Sequence, residues 1–159
     1  MSSKLIIPIG IPGCGKSTFA KLFFDQPYDD IHSTDEIRSR PEFGGDINSQ
    51  ENNDAVFRQF HLSIRESLQY NSRVFADATN LTRRARRELL DDAKASNCTD
   101  IHVLLFKNTH EAYVRNLTRE RTVPEHAMAR MLDNYERTLL DLETERELYT
   151  TITEIGSIH

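Results

Sequence analysis

The amino-acid sequence predicts an α/β protein in which helices cover both faces of a mainly parallel sheet of four to five strands. Short apolar runs alternate along the chain with segments of helical periodicity, which is typical of repeated strand–helix units. The run IHVLLF at 101–106 is apolar throughout, as expected for a strand that is buried on both faces of such a sheet. These two observations predict three layers, with the sheet between the helices.

Apolar runs predict the strands, which cover 5–10, 30–34, 73–78, 101–106 and 149–155. Helical periodicity predicts the helices, which cover 16–24, 54–70, 82–96, a segment from about His110, and 122–142. Asp54 is expected to cap the second helix, Thr82 to begin the third, and Pro124 to lie in the first turn of the last. The polar, turn-rich segment 40–54 is predicted to be a mobile loop.

Length and composition restrict the class of protein. The 159 residues suit one domain, predicted to cover 1–159. The net charge of −5 excludes a surface that is basic overall, so any contact with nucleic acid must be local. Cys14 and Cys98 are too few for a disulfide framework. Neither a membrane-length apolar run nor a signal-type start is present, which predicts a cytoplasmic protein without a membrane partner.

The segment GIPGCGKST at 10–18 follows the first predicted strand and opens the first predicted helix. It matches G-x-x-x-x-G-K-[ST], in which backbone N–H groups and a helix N-terminus surround phosphate oxygens. A glycine-rich turn that arose by chance is the alternative. Lys16 would reach the β- and γ-phosphates of ATP, and the Ser17 hydroxyl would ligate Mg²⁺. The residues expected around the phosphates are Gly10, Gly13, Cys14, Gly15, Lys16, Ser17 and Thr18.

Polar residues follow the next two predicted strands, where the ends of parallel strands face a ligand crevice. In STDEIR, Asp35 is a candidate general base and Arg38 a candidate phosphate ligand on the same helical face. A helix cap and a surface arginine are the alternative. In VFADATN, the candidates for the phosphate and acceptor site are Asp77, Thr79 and Asn80. Their alternative is a turn that ends the strand.

The third predicted helix opens with RRARR at 83–87. Cations in a first turn oppose the helix dipole by about 0.3–1 kcal/mol each, and i,i+4 ion pairs return about 0.2–0.5 kcal/mol. A phosphate-rich ligand near the crevice would explain them, with Arg83, and less directly Arg86, as its contacts. The other arginines of this segment are expected to be solvated.

Arginines also occur in RNLTRERTVP at 115–124. A lid over about 115–126 would carry a cation onto the transferring phosphoryl group and exclude water from it. The candidates are Arg115, Arg119 and Arg121. A solvent-facing row of arginines is the alternative. His61 and His126 lie on predicted helices and are assigned no chemistry.

Four segments in this order resemble those of the polynucleotide 5′-hydroxyl kinases, the kinase domains of phage and bacterial end-healing kinase–phosphatases in the P-loop kinase superfamily. They are GIPGCGKSTFAKLFF, STDEIR, VFADATNL and RNLTRERTVP, and the similarity extends from about Leu5 to Leu142. The phosphate loop is common to many proteins, whereas D-x-x-R, D-x-T-N and R-N-x-x-R are far more specific. The resemblance implies a P-loop NTPase fold of the kinase type with a helical lid.

The resemblance also implies a role for each matching residue. Lys16 and Ser17 would hold ATP and Mg²⁺, and Asp35 would be the general base on the 5′-hydroxyl. Arg38 would bind the phosphate next to the accepting nucleotide. Arg119 would contact the transferring phosphate, with the arginine two residues later as the alternative. The residues implied to line the acceptor and phosphate site are Asp77, Thr79 and Asn80.

The sequence therefore predicts an ATP-dependent kinase that acts on a 5′-hydroxyl end of DNA or RNA. A small-molecule kinase for nucleosides, nucleotides or sugars is the alternative, and the acidic net charge keeps it open. A nucleotide-switched binding protein is a second alternative, although the chain has no N/T-K-x-D motif. The chain also has no D-x-D-G-T phosphatase signature, so a ligase or phosphatase partner would act in trans.

Overall fold

The computed structural model describes residues 2–47, 49, 51–70, 72–118 and 123–156, and a sheet of five strands lies at its centre. The strands are β1 (Lys4–Ile9), β2 (Asp29–Ser33), β3 (Arg73–Asp77), β4 (Asp100–Phe106) and β5 (Thr151–Ile155). Their order is β2-β3-β1-β4-β5, and each neighbouring pair is parallel. The predicted fold class, an α/β protein with a parallel sheet, is confirmed.

Six α-helices connect and cover the strands in the described part of the chain. They are α1 (Lys16–Phe23), α2 (Thr34–Ser39), α3 (Asn53–Leu68), α4 (Arg83–Ala95), α5 (Thr109–Thr118) and α6 (Glu125–Glu145). Short 3₁₀ helices cover Pro41–Phe43 and Arg146–Leu148. Within the described ranges, the helices lack the length or apolar character that a bilayer crossing requires.

The helix boundaries differ from the prediction at a few residues. The N-cap of α3 is Asn52, so Asp54 lies inside the first turn and its prediction as the cap was wrong. The Thr82 side chain caps α4 by accepting a hydrogen bond of 3.1 Å from the Ala85 N–H. The sequence predicts no bounds for α2, although it predicts that Asp35 and Arg38 lie on one helical face, because six residues are too few to show a period. It begins at once after β2 and buries Ile37.

The core lies on both faces of β1, because successive side chains of a strand point to opposite faces. Leu5, Ile7 and Ile9 are fully buried in a large cluster that includes apolar residues of α3, α4 and α6. Ile6 belongs to a smaller cluster on the other face, together with Phe75 of β3 and residues of α1. This is the three-layer arrangement, and it brings the carboxyl ends of β1, β2 and β3 to one edge of the sheet.

Candidate active site

A cavity of about 890 Å³ lies at the carboxyl edge of the sheet, where the loops after β1, β2 and β3 meet residues of α3, α5 and α6. Its wall contains polar and charged side chains from each of these segments. The predicted site residues that line it are Gly13, Gly15, Lys16, Ser17, Thr18, Asp35, Arg38, Asp77, Thr79 and Arg115. The fold therefore gathers the three separate strand-end motifs around one space.

The loop between β1 and α1 has the shape of a phosphate cradle. Gly13 and Gly15 have φ angles of 86° and 101°, which side-chain-bearing residues rarely adopt. Lys16 is 8% exposed, and its Nζ donates hydrogen bonds to the Gly10 carbonyl at 3.0 Å and the Ile11 carbonyl at 3.3 Å. The helix α1 begins at Lys16, so its positive dipole end faces the loop.

Gly10 and Cys14 shape this loop from beneath rather than line the cavity. The Gly10 N–H donates a hydrogen bond of 3.2 Å to the Thr79 carbonyl, which ties the loop to the end of β3. Cys14 is fully buried, and its carbonyl accepts a hydrogen bond of 3.0 Å from Asn108 Nδ2. Both residues thus hold the backbone of the loop in position.

Ser17 and Asp77 form the polar contact between α1 and β3. The Ser17 hydroxyl donates a hydrogen bond of 2.8 Å to Asp77 Oδ2. Burial raises the pKa of Asp77, while the charge of Lys16 and the Ser17 hydrogen bond lower it in part. A hydroxyl and a carboxylate oxygen next to a phosphate cradle are ligands of the type that Mg²⁺ prefers, so these two residues fit the ion.

Asp35 and Arg38 lie on one face of α2, because residues three apart in a helix are neighbours. Ser33 caps this helix by accepting a hydrogen bond of 3.3 Å from the Glu36 N–H. Arg38 Nη1 lies 3.2 Å from Asp35 Oδ1, and its side chain is 9% exposed while that of Asp35 is 40% exposed. The carboxylate therefore faces the cavity beside a guanidinium that is set into the wall.

Two residues of α3 hold Arg38 from the other side. Asn53 Oδ1 accepts a hydrogen bond of 2.6 Å from Arg38 Nη2, and the guanidinium carbon lies 5.8 Å from the centre of the Phe57 ring. Both residues line the cavity, and the sequence analysis singled out neither for the site. Their signal in the sequence is weak, because a polar residue in a first helical turn and an aromatic residue on a buried face are both ordinary.

Arg83 and Arg86 lie away from the cavity, against α6. Arg86 is fully buried, and its guanidinium contacts the Glu145 carboxylate through two hydrogen bonds of 3.0 Å. Arg83 contacts Asp141 at 3.0 Å and Glu145 at 3.5 Å. The countercharges for these first-turn arginines thus come from α6, which explains their position without a phosphate ligand.

Asn80 also has a position beneath the cavity wall. It is 3% exposed with a φ of 53°, and its Nδ2 donates hydrogen bonds to the Pro8 carbonyl at 2.7 Å and the Ala76 carbonyl at 3.1 Å. These bonds join β1 to β3 below the phosphate loop. The side chain is therefore occupied in holding the strand ends together.

Of the three candidate lid arginines, the structure describes Arg115 at the cavity. Arg115 Nη1 donates a hydrogen bond of 3.2 Å to the Gly13 carbonyl, so α5 contacts the phosphate loop directly. Arg119 and Arg121 lie outside the described residues, and the assignment of the lid arginine stays a prediction. Four further cavity residues come from α6, namely His126, Ala127, Arg130 and Met131.

The fold, the phosphate loop and the cavity define a nucleotide-binding P-loop domain. The chain belongs to the family described as AAA domain, whose model matches residues 5–138. Among curated proteins, the L-seryl-tRNA(Sec) kinase of Methanococcus maripaludis is 28% identical in an alignment 145 residues long, which covers 83% of this chain and 52% of the relative. The chain thus spans about half the length of this relative.

Solved structures of kinase-related proteins share the fold. A chain of the Pnkp1/Rnl/Hen1 RNA repair complex superposes with a TM-score of 0.73 at 23% identity, over 88% of this chain and 46% of that chain. A fungal RNA kinase superposes with a TM-score of 0.56 at 15% identity, over 98% of this chain and 75% of that chain. These neighbours agree with the resemblance that the sequence motifs carry, and at such identities they show the fold alone.

Proposed function

We propose that this domain is an ATP-dependent polynucleotide kinase, which transfers the γ-phosphoryl group of ATP to a 5′-hydroxyl end of DNA or RNA. The observation that carries the proposal is the pairing of Asp35 with Arg38 at 3.2 Å in the cavity that also contains Lys16. A carboxylate can accept the proton of a hydroxyl, and a guanidinium can bind a phosphate oxygen beside it. A 5′-terminal nucleotide presents these two groups together.

On the donor side, the phosphate loop and Lys16 hold the phosphates of ATP, and Arg115 or an arginine of the lid closes on them. Ser17 and Asp77 are the residues that would hold Mg²⁺. When bound, Mg²⁺ neutralises charge on the β- and γ-phosphates. Because Lys16 already lies over the loop carbonyls, a bound phosphate replaces those carbonyls as the partner of its ammonium group.

On the acceptor side, the oxygen of the 5′-hydroxyl forms a bond to the γ-phosphorus while Asp35 accepts the hydroxyl proton. The bond from that phosphorus to the bridging oxygen of ADP breaks, and ADP leaves. Arg38 holds the phosphate on the 3′ side of the accepting nucleotide, and Asn53 keeps its guanidinium in place. Positioning and charge stabilisation carry most of the rate in such a transfer.

The similar proteins support a hydroxyl acceptor that belongs to a nucleic acid. One of the similar chains is part of an RNA repair complex, and another is an RNA kinase. We also propose that a ligase or phosphatase partner acts in trans and that the protein is cytoplasmic. The identity of 28% to the curated relative favours a second candidate, a kinase for the hydroxyl of a small molecule or of an aminoacyl group.

The acceptor is tested with γ-labelled ATP and Mg²⁺ against four acceptors, which are 5′-hydroxyl oligonucleotides, a 3′-phosphorylated nucleoside, a free nucleoside and seryl-tRNA. We expect label on the oligonucleotides, and a loss of roughly 10²- to 10⁴-fold in kcat for Asp35→Asn with unchanged ATP binding. The control is Asp54→Asn, because Asp54 is an exposed carboxylate of α3 outside the cavity wall. Label confined to the nucleoside or to seryl-tRNA would overturn the proposal.

A nucleotide-switched binding protein would give a different result. Such a protein needs the phosphate loop but not a base on the acceptor side, so it would bind ATP and transfer no label to any of the four acceptors. Asp35→Asn would then leave every measured property unchanged.

A further inference from the structure

The cavity is more basic than the chain as a whole. The sequence has 20 lysines and arginines against 25 acidic residues, whereas the described cavity wall contains Lys16, Arg38, Arg115 and Arg130 against Asp35 and Asp77. A concave surface of one sign raises the local concentration of ligands of the opposite sign. The two carboxylates of the wall do not balance its four cations, which indicates that the cavity binds an anionic ligand.

Three of these cations already have partners in the structure. Lys16 is hydrogen-bonded to loop carbonyls, Arg115 to the Gly13 carbonyl, and Arg38 to Asp35 and Asn53. Within the part of the chain that the structure describes, Arg130 makes no hydrogen bond or ion pair, and neither does His126. Both are exposed and line the cavity.

Arg130 and His126 lie one turn apart on α6, at positions i+4 and i, so their side chains are on the same face. The next residue after each of them, Ala127 and Met131 respectively, also lines the cavity. One strip of α6 over its first two turns therefore forms cavity wall, with a guanidinium and an imidazole as its polar groups. A guanidinium binds phosphate oxygens with two parallel hydrogen bonds.

We propose that Arg130, assisted by His126, binds a second phosphate of the acceptor strand, on the 3′ side of the phosphate that Arg38 holds. This inference rests on the proposed function and makes it more specific. A 3′-phosphorylated nucleoside has one acceptor phosphate, which Arg38 binds. A strand with two or more phosphates also has one that Arg130 can bind, so the domain selects a polynucleotide over a mononucleotide.

The test compares KM for three acceptors, which are a 3′-phosphorylated nucleoside, a dinucleotide with a 3′-phosphate and a five-nucleotide 5′-hydroxyl strand. In the unmodified protein, we expect KM to be lower for the dinucleotide than for the 3′-phosphorylated nucleoside. Arg130→Gln raises KM for the two longer acceptors by roughly tenfold, as expected for a lost charge-assisted hydrogen bond. It leaves KM for the nucleoside and for ATP unchanged, and His126→Gln acts in the same direction with a smaller change.

The matched control is Arg137→Gln. Arg137 is an exposed arginine of the same helix, and it is not part of the cavity wall. We expect its variant to keep the length dependence of the unmodified protein. An equal loss in the control and in Arg130→Gln would assign the effect to the net charge of α6 and overturn the inference.

A binding measurement without ATP separates this inference from the proposed function. The fluorescence anisotropy of a labelled 5′-hydroxyl strand, titrated at several salt concentrations, gives the slope of log K against log salt. Each lost phosphate contact reduces this slope by about 0.7 for a single strand. We expect this reduction for Arg130→Gln and none for Arg137→Gln.

The outcomes are distinct. If no oligonucleotide is phosphorylated, the proposed function fails, and the salt slope alone decides whether Arg130 binds a phosphate of the strand. If oligonucleotides are phosphorylated but Arg130→Gln keeps the length dependence and the slope, this inference alone fails. A rise in KM for ATP would place Arg130 on the donor and overturn it as well.

Discussion

The Ser17 hydroxyl donates a hydrogen bond of 2.8 Å to Oδ2 of Asp77, which joins the first turn of α1 to the end of β3. The carboxylate is 8% exposed. This contact connects two segments that are 60 residues apart in the chain. The pair joins two elements of the cavity wall, so we expect changes to it to affect both the stability of the sheet edge and the binding of a nucleotide.

The first prediction concerns the charge of Asp77. Burial raises the pKa of Asp77 above its ordinary value of 3.8, so the folded chain binds this proton more tightly than the unfolded chain does. The ionised form thus lowers stability as the pH rises through the raised pKa. We expect Asp77→Asn to have a higher Tm than the unmodified protein at neutral pH, with the difference closing as the pH falls toward 3.8.

Thermal unfolding at several pH values, with and without ATP and Mg²⁺, measures this. The same substitution should reduce the rise in Tm that ATP and Mg²⁺ cause, because the acceptor of the Ser17 hydrogen bond loses its charge. A variant with a lower Tm than the unmodified protein at neutral pH would contradict the prediction. Asp54→Asn is the control for a carboxylate without burial.

The second prediction concerns Asn53, which positions Arg38. Asn53→Ala removes the oxygen that accepts the 2.6 Å hydrogen bond from Arg38, so the guanidinium gains freedom. We expect KM for a 5′-hydroxyl strand to rise about tenfold, with kcat and KM for ATP nearly unchanged. Asn53→Asp keeps an acceptor oxygen and should restore the lower KM. If the alanine and aspartate variants behave alike, the hydrogen bond has no role in acceptor binding.

The third prediction concerns Gly10. A Cβ at this position would overlap Cys14 Sγ and lie 3.0 Å from Phe106 Cβ, so the phosphate loop would have to shift. We expect Gly10→Ala to weaken ATP binding, measured by calorimetry. Cys14→Ala in the same chain removes the overlapping sulfur and should restore part of the affinity. Gly156→Ala is the control, because a Cβ there meets no described atom within 4 Å, and it should bind ATP normally.

The fourth prediction concerns the buried arginine of α4. Arg86→Met leaves Glu145 buried without its main cationic partner, and breaking such a pair costs about 3–5 kcal/mol in the free energy of unfolding. Urea unfolding measures the loss. The control is Arg84→Ala on the same helix, where the side chain is 89% exposed and the expected change is within about 0.5 kcal/mol. Equal losses in the two variants would show that burial of Arg86 is not the cause.

The fifth prediction separates Arg83 from the acceptor site. Its side chain is 50% exposed and pairs with Asp141 of α6, away from the cavity wall. We expect Arg83→Ala to leave KM for ATP and for a 5′-hydroxyl strand unchanged, and to lower stability by less than about 1 kcal/mol. A rise in KM for the strand would instead return Arg83 to the acceptor site, as the sequence motif suggested.

The strands and the polar residues at their ends could be predicted because both depend on the pattern of residues within a short segment of the chain. An apolar run such as that of β4 identifies a buried strand by itself. Lys16 and Asp35 come soon after predicted strands, and Asp77 lies at the end of one. Parallel strands end at the same edge, so residues far apart in the chain could be placed together without knowing their contacts. The shared helical face of Asp35 and Arg38 could be predicted, but the bounds of the six-residue helix α2 could not, because its length does not exceed two turns.

The arginines of α4 show where the local argument ends. Cations in a first turn oppose the helix dipole, and the sequence predicts a ligand as the source of the compensating charge. The compensating charges are Asp141 and Glu145, which are more than 50 residues away in the chain. Met131 of α6 packs against the core cluster and also lines the cavity.

The α/β class, the phosphate loop and the polar residues at the strand ends could be predicted from short segments, because periodicity, glycine spacing and strand ends are local properties. Which charged side chains pair within the protein and which line the cavity is visible only in the folded chain. That choice depends on packing between α4 and α6 and on the face that α6 turns to the cavity. As a result, Arg86 pairs with Glu145 inside the protein, whereas Arg130 lines the cavity.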